Sequence, residues 1–153
     1  MDLHRRAVLL ERLRPFGLDA TPPRAGLALP LVSLADFFTG NDDPRSIGPQ
    51  IGGAHPGVAT LYAMLQRIAA RPDVSDVLIQ VQDAQWAYDS DDEWVTASCV
   101  VVVTTAEAAQ LAEWKQQLGC AAMAKGFPQP LAPNAPNAPD VAEDHAAWHL
   151  VWT

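Results

Sequence analysis

Positive charge is scarce in this chain. Lysine and arginine number 10 against 18 aspartates and glutamates, for a net charge of −8, and no basic residue falls between Pro72 and Trp114. Nucleic acid and anionic membranes are bound through basic footprints, so neither is an expected partner; a basic protein is. Cysteine is sparse too. Cys99 and Cys120 form no CxxC and have no flanking His pair, which removes the patterns of zinc sites and disulfide frameworks. No metal and no cofactor is expected. Long apolar runs are also missing. Arg5-Arg6 before Ala7-Val8-Leu9-Leu10 has the order of an export signal, but Glu11 and Arg12 interrupt it after four residues. A secretory segment needs ~7–15 and a spanning helix ~20, so a cytoplasmic protein is expected.

The usual catalytic signatures do not occur. There is no G-x-S-x-G elbow, Gly52-Gly53 lacks the following Lys-Ser/Thr of a phosphate loop, and neither cysteine has a neighbouring histidine. No catalytic residue is assigned.

The chain has 153 residues, 49% apolar and 18% charged, with 13 prolines and 9 glycines gathered mostly in blocks. That is one domain, 1–153, with an ordinary core. Leu3, Ala7, Leu10 and Leu13 predict an amphipathic helix over 2–14. The core spans 27–118. It opens with a short strand over 27–32 and a helical turn capped by Ser33 and Asp36. A loop follows over 40–57. Val58, Leu61, Met64 or Leu65, and Ile68 predict a helix over 58–71. Alternation predicts a strand over 75–83 and the valine run 100–103 a central strand over 95–104, with a polar hairpin loop at 85–93 between them. Thr104 and Glu107 read as a capping box for a helix over 105–118 that ends at Gly119. Prolines at every third position mark 127–140 as an extended linker before a last strand over 146–152. The order βαββαβ predicts an α+β, ferredoxin-like sandwich with an extra N-terminal helix.

Two segments are candidates for function. Asn41, Asp42, Asp43, Ser46 and His55 lie in the 40–57 loop, where Arg45 and Gly52 fall at the fifth and twelfth positions that a calcium loop gives to oxygen ligands. Turn-shaping is therefore expected of them, the alternative being an enzyme using Asp42 or Asp43 with His55 as acid, base or metal ligand. The second segment holds Asp89, Asp91, Asp92 and Glu93, flanked by Trp86, Tyr88 and Trp94. Trp94 and Val100 occupy its sixth and twelfth positions, so calcium fails here as well. Acids beside aromatics suit a docking surface. Residues 1–71 carry +2 and residues 72–153 carry −10, a field able to steer a basic partner. A non-enzymatic inhibitor or immunity-type protein is the leading expectation; a ferredoxin-like dimer that binds a small molecule is a further alternative.

Val32-Ser33-Leu34-Ala35-Asp36-Phe37-Phe38, Gly40-Asn41-Asp42-Asp43, Ser46-Ile47-Gly48, His55-Pro56-Gly57, Arg71-Pro72-Asp73-Val74 and the terminal Val151-Trp152 together resemble a group of small bacterial proteins of unassigned function. The resemblance covers roughly residues 31–83 and implies no site role. Likeness to immunity proteins is one of size, charge and class.

Overall fold

Helix α1 (Leu3–Leu13) starts where Asp2 accepts hydrogen bonds from the backbone N–H groups of His4 and Arg5, donors that a first turn leaves without intrahelical partners. The computed structural model describes residues 1–18, 29–128 and 139–152, the side chains of Gln85 and Trp86 excepted. The face of α1 turned inward is Arg6, Leu9, Leu10 and Leu13, while Leu3 is exposed. This corrects the expected stripe through Leu3 and Ala7. The helix is rotated toward Arg6 because backbone carbonyls of a distant segment wait for its guanidinium.

Strand β1 (Leu31–Ser33) is shorter than expected and runs directly into α2 (Leu34–Phe38), where Ser33 accepts from the Asp36 N–H as foreseen. Phe37 and Phe38 are buried, and Phe38 stacks on Tyr62 of α3 (Val58–Ala69) with ring centroids 4.8 Å apart. The buried face of α3 is Val58, Leu61, Leu65 and Ile68, spaced three and four apart as expected. It packs into one core cluster with Val77, Ile79 and Val81 of β2 (Val74–Asp83).

The expected hairpin loop at 85–93 begins instead with a short helix, α4 (Gln85–Asp89). Strand β3 (Thr96–Thr104) follows and is central, with β2 on one side and β5 (Ala146–Val151) on the other. Val100, Val101, Val102 and Val103 are fully buried, which explains why no polar residue interrupts the run. Val100 and Val102 face the helices within the main cluster. Leu31, Cys99, Val101, Val103 and Ala147 are buried on the opposite side of the sheet, as the pairing register requires.

Helix α5 (Ala108–Leu118) starts later than expected, and the capping box does not form. Glu107 makes no side-chain cap; Thr104 instead accepts from the Ala106 N–H and donates to the Asp73 carbonyl, a turn that its hydroxyl closes locally. Gly119 ends the helix in the left-handed conformation at φ 75°. Beyond it lies β4 (Ala122–Lys125), an edge strand absent from the sequence reading. The five described strands form one sheet in the order β1-β2-β3-β5-β4, with every neighbouring pair antiparallel. The α+β class holds. The ferredoxin-like sandwich is corrected, because its split βαβ units set a third strand between two strands joined through a helix, whereas β1 and β2, joined through α2 and α3, are direct antiparallel neighbours. Residues 129–138 of the expected 127–140 linker, and 27–28 of the first strand, lie outside the described residues.

Arg6 holds α1 to the far side of the fold. Its Nε donates to the Glu93 carbonyl at 2.7 Å, and Nη2 donates to the carbonyls of Ala87 and Ser90. Replacement by alanine leaves these carbonyls without a donor, for an expected loss of about 2–4 kcal/mol. Arg6→Met keeps the aliphatic stem, so most of the loss should persist. Urea denaturation checks this; a change within error for both variants would show that water replaces the guanidinium.

Candidate functional site

The 40–57 loop is built from side chains bonded to its own backbone. Asn41 is buried, accepts from the Asp43 N–H at 3.0 Å and donates to the Ser46 hydroxyl at 2.9 Å. Asp43 is buried as well, and both its oxygens are used. One accepts from the Arg45 N–H and Nε, each at 3.0 Å, and the other from the Trp94 N–H at 3.1 Å. Beyond this turn, the Ser46 carbonyl accepts from the Ala97 N–H at 2.7 Å and Ile47 bridges Ala97 in parallel. The loop is thereby stitched to the entrance of β3. Gly40 sits at φ +82°, and a Cβ there would lie 2.5 Å from the Asp2 Cβ, so only glycine admits the start of α1 so near.

His55 is equally committed. Its Nδ1 accepts from the Gly57 N–H at 2.9 Å, which leaves Nε2 as the protonated nitrogen, donating to the Ile47 carbonyl at 2.7 Å. Asp42 alone points outward, onto the terminal ammonium of Met1 at 2.8 Å, and that hydrogen bond holds its carboxyl below the usual range. Asp42, Asp43 and His55 therefore do not share a site. Among the described residues, no three His, Cys, Asp or Glu side chains gather as a metal would need.

The acidic segment divides differently from expectation. Asp89, Asp91 and Asp92 are exposed and Glu93 is half-buried. Asp92 accepts from the Ser90 hydroxyl, which lowers its pKa. Two of the flanking aromatics, Trp94 and Tyr88, are not surface anchors. Trp94 is a core residue, 2% exposed. Tyr88 is half-buried, donates its hydroxyl to the Leu10 carbonyl at 2.5 Å and lies under the Arg14 guanidinium. Both rings join α4 and β3 to the fold, which corrects their assignment as contact residues. The side chain of Trp86 lies outside the described residues.

The two candidate segments meet at a cleft of about 330 Å³, lined by Asp43, Arg45, Asp83, Ala87, Glu93, Trp94 and Thr96. Arg45 spans it, bonded to Asp43 and to Glu93 Oε1, the latter at 3.4 Å. Sequence reasoning missed both Arg6 and Arg45. Arg45 had a local signal in its place two positions after Asp43, whereas nothing near Arg6 announces partners more than eighty positions away.

Cys99 and Cys120 are free and buried, and burial pushes both thiols up to about 12. Since the thiolate is the nucleophile, neither is poised for catalysis. Iodoacetamide at pH 8 should leave both unmodified in the native protein and label both in urea; rapid native labelling of either, read by mass spectrometry, would contradict this. Asp43 gives a sharper check. Asp43→Ala should cost about 1–3 kcal/mol, and Asp43→Asn should restore only part, since its NH₂ must oppose either the Trp94 or the Arg45 N–H. Asp42→Ala should leave the denaturation midpoint unchanged.

Residues 4–150 match the model of the Uncharacterized protein YfbO family. No curated protein and no solved structure matches the chain. Among the described residues, no helix is long and apolar enough to cross a membrane.

Proposed function

Since the chain belongs to the YfbO family, whose function is unassigned, its role must be argued from its own surface, and we propose a non-enzymatic binding protein, an inhibitor or immunity-type partner of a basic protein. One observation carries this reading: Asp89, Asp91 and Asp92 are exposed at the carbonyl end of α4. Helix carbonyl ends favour cations. The fold itself supplies one there, the buried Arg6 beneath the turn. Asp92 gains the Ser90 hydroxyl, but no described residue donates to the carboxylates of Asp89 and Asp91, so stability does not account for those two. An incoming basic surface does, and the anchored backbone presents them to it without an ordering cost.

The enzyme alternative draws no comparable support, because Asn41, Asp43, Ser46 and His55 are all engaged in holding their loop. For the ferredoxin-like dimer, a contiguous apolar face would be needed. The exposed large apolar residues among those described are Met1, Leu3, Val8 and Val141, scattered over the termini of the fold.

The test is kinetic. With a partner isolated by pull-down on the wild-type protein, the triple variant Asp89→Asn, Asp91→Asn, Asp92→Asn should lower the association rate by roughly tenfold at low salt and flatten its salt dependence, with dissociation changed less. Stopped-flow mixing at two ionic strengths reads both. An unchanged association rate would leave the charge as a solubility feature.

A further inference from the structure

Helices α3 and α5 leave a groove of about 570 Å³ between them, which shares no lining residue with the cleft at Glu93. Met64, Arg67 and Ile68 of α3, with Arg71 just past its end, fall three and four apart and make one wall. Glu113 and Trp114 of α5 belong to the other. Arg71 is fixed: it donates to both Asp73 oxygens, at 2.9 and 3.0 Å, and lies over the Trp114 ring, 5.3 Å from its centroid. Arg67 is not. Its Nε reaches the Ala63 carbonyl at 3.4 Å, and it makes no ion pair among the described residues. The Trp114 indole N–H has no acceptor among them either, although the residue is 3% exposed. The unpaired indole nitrogens of Trp94 and Trp148 are sealed from solvent, whereas that of Trp114 is not, and the groove is the space that Trp114 borders. Native proteins rarely leave a buried donor unpaired, because its desolvation is then uncompensated. Two idle donors therefore line one groove, and both call for an acceptor.

We propose that this groove is a binding site for a small aromatic monocarboxylate, with the carboxylate on Arg67 and the Trp114 indole N–H and the ring against Met64 and Ile68. The inference goes beyond the acidic-binding reading above and does not rest on it. A carboxylate suits Arg67 because the planar guanidinium fork matches its two oxygens through parallel hydrogen bonds. One negative charge suits the groove better than two. Asp73 already neutralises Arg71, and Glu113 on the opposite wall repels a second charge. An aromatic body suits the floor, since Met64 is half-buried there and a thioether packs favourably against a ring edge. The volume falls within the roughly 300–1,000 Å³ of small-molecule sites.

Three probe acids test this. Benzoate, phenylacetate and cinnamate are titrated into the full chain, labelled with ¹⁵N and with ¹³C at the methionine methyls, and the Trp114 indole and Met64 methyl resonances are followed by NMR. Saturable shifts of both are expected from at least one acid, with half-saturation at about 1 mM or below. The corresponding carboxamide, neutral but of the same shape, should give none, and fully ionised phenyl phosphate should bind more weakly. Arg67 is exposed, so Arg67→Gln should keep the fold while weakening the acid roughly tenfold, the loss of one charge-assisted hydrogen bond. The triple variant at 89, 91 and 92 should bind it within about twofold of wild type, as expected for contacts that do not include those residues. No saturable shift with any of the acids, equal shifts with the carboxamide, tighter binding of phenyl phosphate, or full binding by Arg67→Gln would each overturn the proposal. The steering test above reads a different surface, so either idea can fail while the other stands.

Discussion

The carboxylate of Asp43 reaches the Trp94 N–H across 51 positions of sequence, and the geometry of the candidate site depends on that bond. One oxygen is fixed by the Arg45 N–H two residues on, so the turn presents the other at the correct angle before the chain closes. When Trp94 meets it, the indole is carried into the core and the entrance of β3 is placed beside the loop. The Ser46–Ala97 hydrogen bond and the Ile47–Ala97 bridge then fall into line. The cleft is the space left where these two segments are pinned, and so its walls are backbone-anchored on both sides.

Charge in this molecule is arranged by fold more than by sequence neighbourhood. Residues 72–153 carry −10, yet Arg6 lies under the acidic turn and Arg45 against its edge, both drawn from the basic half. They do different work. Arg6 is buried and, among the described residues, hydrogen-bonds only to carbonyls, so it stabilises the end of α4 without forming an ion pair. Arg45 is largely exposed and shared between Asp43 and Glu93. The outer acids Asp89, Asp91 and Asp92, with Glu93 and Asp43 behind them, outnumber Arg6 and Arg45, so this end of the molecule keeps a net negative field.

How much of this was legible depended on whether local physics decided the outcome. The periodicity of α3, the valine run of β3, the Ser33 cap and the glycine stop of α5 are set within a few residues, and each was readable. Trp94 and Tyr88 were misplaced because an aromatic next to four acids looks the same whether its ring faces water or core. Leu3 lost its expected place to Arg6, a competition settled by carbonyls 81 to 87 positions away. Strand β4 is a four-residue stretch, Ala-Met-Ala-Lys, too short and too weakly branched to announce itself. In the loop, Asn41 and Asp43 read correctly as turn-formers, but the second oxygen of Asp43 had no visible destination.

The strand order also makes the far edge of the sheet conditional on one strand. β5 lies between β3 and β4, although β4 precedes it along the chain. Among the described strands β4 pairs with β5 alone, so it is held in the sheet solely through that neighbour. Loss of β5 from β3 would release two strands together and open an edge on β3, the most apolar strand of the sheet.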